Sequence, residues 1–362
     1  MRVRPQSSCP LCGHAGALLY EDLHDRLFST EGAWNMSRCQ ECGLLYLDPV
    51  PIEEDIHLAY GTSYYTHARS EPQGVRRIYA AVTDYHVRRR LGYPSTARRT
   101  TRVMARMLSV LHPGGDAELS REAMYLRKAE SDSLLLEVGC GSGEWLGYMR
   151  GLGWRVEGVE PDPKAVATAL SDGLNVRQGQ LSDQSYPNAY ADVICVIHVV
   201  EHLHEPLATL RECRRVLQPN GRLVIATPNS ASLGHHRFKS NWVSLDPPRH
   251  LMIFDPPTMR RMLDQAGFDI DWLTTTARGA RSTWTLGRYL RRASRWDTDA
   301  GPPSVTSHVT AIPFQLWERV VIASGRPAGE ELVVQARPRP VYSAGAGGGY
   351  LAAETSAKID AT

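Results

Sequence analysis

Residues 198–206 read HVVEHLHEP, three histidines and two glutamates in nine positions. The first five letters fit H-x-x-E-H, the pattern in which two histidines hold a zinc ion and a glutamate activates its water. The same residue types also suit proton transfer at neutral pH without a metal. The element that carries them decides between the two. A peptidase pair needs both histidines on one helical face, four positions apart. Here ADVICVI (191–197), an apolar run rich in β-branched residues, leads straight into His198, and Pro206 suits the first turn of a following helix. His198 and His202 are therefore expected on a turn leaving a strand, with no shared helical face, and the peptidase pattern is set aside. His204 and Glu205 read as cap and first-turn residues of that helix.

A second set of residues has metal-ligand spacing. Cys9 and Cys12 lie in CPLCG and Cys39 and Cys42 in CQECG, two knuckles separated by 26 residues (13–38). Thiolates arranged in this way surround zinc tetrahedrally, and with all four positions cysteine none is left for water, so the site reads as structural. The chain has seven cysteines; Cys140, Cys195 and Cys213 lie singly in apolar or helical patterns. An odd count without a secretion signal argues against a disulfide framework.

The 362 residues carry a formal net charge of +2, which speaks against a polycation built for nucleic acid. No apolar run approaches the length of a membrane span. The start, MRVRPQSSCP, has no apolar signal core, so the cytoplasm is the expected location.

Four regions are expected. Residues 1–51 form a zinc-ribbon-like module. Residues 52–130 are helical and basic, with RRR at 88–90; this is either a solvated face or a site for an anionic substrate. Residues 131–340 form an α/β domain. Residues 341–362 are a small polar tail, expected to be disordered. Within 131–340, strands are expected at 133–138, 154–160, 175–179, 191–197, 222–227 and 268–276, alternating with helices at 144–153, 162–173, 206–217 and 258–267, with a turn at QPNG (218–221). Such alternation specifies a doubly wound, mostly parallel sheet. EELVVQARP (330–338) supplies a last strand, expected at an edge.

The first strand of this domain runs into EVGCGSGEW (137–145). Gly139, Gly141 and Gly143 allow close backbone approach where the strand turns into a helix, the end at which doubly wound sheets bind ligands. A dinucleotide fingerprint would place its third glycine at position 144, where this chain has Glu144. Glu137, just before the first glycine, suits a cationic ligand better than a pyrophosphate. Glu160 ends the second strand, where a carboxylate can accept both hydroxyls of a ribose.

Together LLLEVGCGSGEWL, GVEPDP, DVICVIHVVEHLHEP and RRVLQPNGRLVIATPN resemble, in order and spacing, the motif series of class I S-adenosylmethionine-dependent methyltransferases, in particular the branch that includes the ubiquinone-biosynthesis O-methyltransferases. The four-cysteine start and DPPRHLMIF are similar to a bacterial subgroup of that family. The resemblance covers roughly 133–276. It implies a seven-stranded sheet whose last strand is antiparallel, and S-adenosyl-L-methionine as cofactor. Gly139, Gly141 and Gly143 would pass under its amino-acid part, with Glu137 near the cationic end and Glu160 on the ribose. Adenine would lie against Gln180 and Leu181. Many relatives have aspartate at the position of Gln180, and Asp183 is the substitute offered by this chain.

The resemblance also places the 198–206 turn beside the methyl group, with His198 among the cofactor neighbours. A hydroxyl acceptor must lose a proton. His202 is the first candidate for the base and His198 the second, with Glu201 orienting either; for both histidines a purely structural role in the turn stays open. The segment 227–254 is too long for a plain connection. Trp242, Arg249 and His250 are expected to line the acceptor pocket, with a salt bridge holding down the loop as the rival role for Arg249. The expected acceptor is a small molecule, a hydroxyl-bearing sugar, quinone-like or other biosynthetic intermediate. The alternative is an RNA-modifying module, suggested by the cysteine knuckles and the Arg-rich stretches.

Overall fold

The computed structural model describes residues 1–60, 75–95, 100, 103, 118–128, 130, 132–293 and 309–340. Much of the second basic stretch (96–111) and the whole 341–362 tail lie outside the described residues.

Near the start lie β1 (Val3–Arg4), β2 (Gly16–Leu23), β3 (Trp34–Cys39), β4 (Leu45–Asp48) and β5 (Val50–Pro51). The larger unit contains β6 (Leu134–Val138), β7 (Arg155–Glu160), β8 (Val176–Gln178), β9 (Ala191–Ile197) and β10 (Leu217–Pro228). It continues with β11 (Met252–Ile253), β12 (Phe268–Thr276) and β13 (Glu331–Pro338). Seven strands form one sheet in the order β12-β13-β10-β9-β6-β7-β8. Strands β10, β9, β6, β7 and β8 run parallel, and β13 runs antiparallel to both of its neighbours. This is the doubly wound sheet expected from the alternation of elements.

Helix boundaries follow local chemistry. Asp162 caps the helix Pro163–Ser171 by accepting from Lys164 N, with proline at the first position. The helix Pro256–Ala266 starts with an Asp255/Thr258 capping box and stops at Gly267, which has φ 82°. Residues alternate between the faces of the central strands. Leu134, Leu136, Ile194 and Ile225 pack with Leu210 and Cys213 of the helix Pro206–Val216 and with Met259 and Met262. Leu135, Val193, Cys195 and Val224 pack on the other side with Leu146 and Met149 of the helix Glu144–Leu152.

Two expectations are corrected. EELVVQARP is not an edge strand, because β13 is inserted between β10 and β12. Leu332, Val334 and Ala336 face one core and Val333 the other, and a strand buried on both faces belongs inside a sheet. QPNG is no free turn either. It lies within β10, as an irregularity between Leu217 and Arg222 in the pairing with β9.

The N-terminal strands form a second sheet, β11-β4-β3-β2, whose outer strand β11 comes from the long loop after β10. Cys9, Leu11, Cys39, Leu44 and Tyr46 share one apolar cluster with Met252, Phe254 and Met259. No described helix is long and apolar enough to cross a membrane.

Candidate active site

The glycine loop lies where β6 ends. Gly139, Gly141 and Gly143 have φ of 71°, 53° and 75°, the left-handed region that favours glycine. At Gly139 an added Cβ would also meet Val199 Cγ2 at 2.4 Å, and at Gly143 it would meet Leu174 Cδ1 at 2.4 Å. The loop is held by Glu160, whose Oε2 accepts from Gly141 N at 2.8 Å and whose Oε1 accepts from Asp162 N at 2.9 Å. Glu137 is buried beside it, and among the described residues its Oε2 has no hydrogen-bond partner. Burial pushes its pKa well up, and the nearby Glu160 adds to that. A buried carboxylate with one oxygen left without a hydrogen bond among the described residues, next to a backbone cradle that side chains would fill, fits a ligand with a cationic group at this point.

On the far side of β7, Gln180 caps the turn Leu181–Gln184 in a reciprocal box with Asp183. Asp183 Oδ2 accepts from Gln180 N at 3.0 Å, so this acid serves the turn. Leu181 is buried and Gln180 is exposed.

The HVVEHLHEP turn leaves β9 as expected. His198 has φ 53°, and Val200–His202 form one 3-10 turn. No helical face is shared by His198 and His202. The two rings have opposite electrostatics. His198 Nε2 donates to Glu331 Oε1 at 2.9 Å, and Nδ1 lies 3.4 Å from Glu201 Oε1. Partial desolvation opposes its charge, but the ring is exposed along one side, and these two carboxylates outweigh that opposition and push the pKa up to about 9. His202 Nδ1 donates to Arg249 O at 3.0 Å, and Tyr60 Oη lies 3.1 Å from the same nitrogen. A carbonyl only accepts, so Nδ1 carries the proton and Nε2 keeps its lone pair. Burial, with the neighbouring His250 adding, pushes the pKa of His202 down to about 4. His202 therefore stays neutral at pH 7 while His198 stays charged.

Glu201 is fully buried; its Oε2 accepts from Thr227 Oγ1 at 2.9 Å, and its carbonyl accepts from Leu251 N. It sits against His198 rather than on the Nδ1 of His202. His204 is no helix cap: its Nε2 donates to Pro51 O at 2.8 Å.

Of the three residues expected to line an acceptor pocket, one faces the histidine turn. The His250 ring meets the His202 ring edge-on, with centroids 4.7 Å apart, and its Nδ1 donates to Ser244 O. Trp242 is buried, stacks on His235 and donates from Nε1 to Glu330 Oε2 at 2.9 Å. Arg249 is wholly buried. It pairs with Asp25 at 2.8 Å and Asp246 at 2.6 Å and also donates to Ala59 O. Trp242 packs its ring with the apolar residues of the N-terminal sheet and ties its nitrogen to Glu330, Arg249 joins the loop to Asp25, and the polar atoms of both are engaged in these bonds. Asp25 lies 224 positions away in sequence, so only the fold reveals the partner.

Several neighbours had no motif to mark them. Glu331 holds His198 and is itself paired with the buried Arg121. Tyr60 approaches His202 from the N-terminal side. The acidic pair opening the apolar run EELVVQARP was the one visible hint, since charges at the start of a buried strand need partners.

The four cysteines converge. Sγ separations are 3.6 Å for Cys9–Cys42, 3.3 Å for Cys12–Cys39 and 3.6 Å for Cys12–Cys42. Tetrahedral zinc with bonds of roughly 2.3 Å needs sulfurs about 3.8 Å apart, so the set fits such an ion. Gly13 and Gly43, with φ 77° and 84°, fold each knuckle back onto its first cysteine carbonyl.

Residues 112–272 match a family model described as a methyltransferase domain. A probable S-adenosylmethionine-dependent methyltransferase of Mycolicibacterium smegmatis is 30% identical over 154 residues, covering 41% of this chain and 58% of the relative. A ubiquinone biosynthesis O-methyltransferase of Cereibacter sphaeroides is 35% identical over 101 residues, covering 26% and 41%. A solved SAM-dependent methyltransferase from Archaeoglobus fulgidus is 20% identical, covering 60% of this chain and 91% of its own, with a TM-score of 0.42. The chain spans less than two thirds of the length of these curated relatives. The stretch 112–272 is thus similar to methyltransferase domains, and the chain is similar in sequence to proteins named as S-adenosylmethionine-dependent methyltransferases.

Proposed function

We propose that this chain transfers a methyl group from S-adenosylmethionine to a small-molecule acceptor in cytoplasmic biosynthesis, with a hydroxyl as the receiving group. The observation that carries this is the cradle after β6: three left-handed glycines, the buried Glu137, whose Oε2 has no hydrogen-bond partner among the described residues, and Glu160 at the end of β7. When bound, the cofactor supplies an electrophilic methyl on a sulfonium. The chain's part is largely orientation. Glu137 faces the cationic amino-acid end, the glycine backbone makes the close approach, and Glu160 lies at the ribose. Leu181 and Gln180 flank the adenine.

His202 is the proposed base. Its Nε2 lone pair is available at neutral pH, and the Nδ1–H···O bond to Arg249 fixes the ring. His198, held charged between Glu201 and Glu331, is the poorer base and supplies a fixed cation at the pocket. His250 packs beside the base. In this reading residues 131–340 hold most of the cofactor, and residues 1–51 hold one structural zinc on Cys9, Cys12, Cys39 and Cys42.

Calorimetric titration with S-adenosylmethionine and S-adenosylhomocysteine tests the reading. Folded protein that binds neither at millimolar concentration refutes it. Labelled methyl transfer to sugar and phenolic acceptors tests the finer claim, and product methylated on nitrogen or carbon overturns the hydroxyl assignment.

A further inference from the structure

Residues 51–60, which follow the four-cysteine module, reach the glycine-loop end of the large sheet. Contacts at Pro51, Glu53 and Tyr60 hold them there. His204 Nε2 donates to Pro51 O at 2.8 Å, Gln180 Nε2 donates to Glu53 Oε1 at 2.7 Å, and Tyr60 Oη lies 3.1 Å from His202 Nδ1. The stretch is braced from behind, because Arg2 N donates to Asp55 Oδ2 at 2.7 Å and Ile52 N to Arg2 O.

The Gln180 amide has a fixed orientation. A carboxylate only accepts, so the Gln180 NH2 group, not its oxygen, faces Glu53. An amide nitrogen has two hydrogens, and the bond to Glu53 uses one. Among the described residues the second Glu53 oxygen has no hydrogen-bond partner, and both side chains are exposed. The pair thus offers a donor beside an acceptor. The adenine edge offers the complement, the N1 acceptor beside the N6 amino donor.

We propose that Glu53 and Gln180 together recognise the cofactor's adenine, so that the segment leaving the four-cysteine module completes the cofactor pocket. This rests on the reading above, in which the adenosyl group lies at this end of the sheet. It also accounts for the glutamine at position 180: the carboxylate for the amino group comes from Glu53, and Asp183 is occupied by the turn.

The test is calorimetry on the full zinc-loaded chain with S-adenosylhomocysteine and S-inosylhomocysteine. In the inosyl compound N1 carries a hydrogen and O6 accepts, which reverses both contacts. The wild type should prefer the adenosyl ligand by at least about tenfold. Glu53→Ala should bind it about tenfold more weakly, as for loss of one hydrogen bond to a charged group, and should lose most of the preference. Glu54→Ala, the exposed neighbouring acid, should change neither and controls for net charge; melting curves establish that both variants fold. Glu53→Ala binding like wild type, or Glu54→Ala weakening binding equally, overturns the assignment. Folded wild type that binds no S-adenosylhomocysteine overturns the cofactor reading itself, and this proposal with it.

Discussion

Arg249→Ala should destabilise the protein by about 3–5 kcal/mol, the range for breaking a buried ion pair from one side. Among its hydrogen bonds are two to Asp25, two to Asp246 and one to Ala59 O. It also lies 4.6 Å from the Phe28 ring centroid. Removing it leaves the wholly buried charge of Asp25 with the backbone amides of Leu27, Phe28 and Thr30 but without its counter-ion, and Asp246, which is nearly as buried, loses the same guanidinium. Burial alone would raise the pKa of Asp25; the Arg249 guanidinium and the Phe28 amide outweigh it and hold the group down to about 2. A depressed carboxylate contributes stability that is present above its unfolded pKa of about 3.9 and is lost as pH falls through the folded value. In the variant Asp25 titrates higher. The deficit relative to wild type is therefore largest at neutral pH and shrinks toward pH 4. Thermal melting at pH 7.5 and at pH 5 measures this, and a drop of roughly 4–7 °C is expected at the higher pH. Asp25→Asn combined with Arg249→Met should recover part of the loss, because it removes the stranded charge. A variant that melts like wild type but raises KM for the acceptor would refute the clamp and return Arg249 to the acceptor pocket.

His202→Ala should lower kcat about 10²–10⁴-fold while S-adenosylhomocysteine affinity is kept; a loss below about tenfold removes the base. The His198 pKa is raised in the fold, so its contribution to stability is present below about pH 6.5 and lost as pH rises through about 9. His198→Phe should flatten that part of the melting profile, and identical profiles from pH 6 to 10 would rule out the charged pairing with Glu331. Elemental analysis should find about one zinc per chain, lost in Cys39→Ser together with a lower melting temperature. Metal-free protein with unchanged melting and activity would exclude a structural zinc.

The glycine loop was readable because its chemistry is local: a strand, a turn that only glycine accommodates, and a helix start all lie within a dozen residues. The two cysteine knuckles were readable for the same reason. The place of β13 was not, because an apolar run of eight residues has the same letters at an edge or between two strands; only burial on both faces, against Leu223 and Leu273 as neighbours, settles it. Arg249 shows the other limit. Nothing near DPPRH indicates that Asp25 will meet it, so an exposed, substrate-facing arginine and a buried clamp look alike in the sequence.

HVVEHLHEP divides along the same line. The strand before it and the proline after it fixed its place on a turn at the ligand end of the sheet, since both act through backbone geometry within a few residues. What each histidine does was decided by the tertiary structure. His198 is charged because Glu331 arrives from the last strand, His202 is neutral because a carbonyl from the long loop holds its Nδ1 proton, and His204 ties down the N-terminal segment. Imidazole chemistry depends on which charges and dipoles lie within a few ångströms, and those neighbours come from elements 47 to 153 positions away.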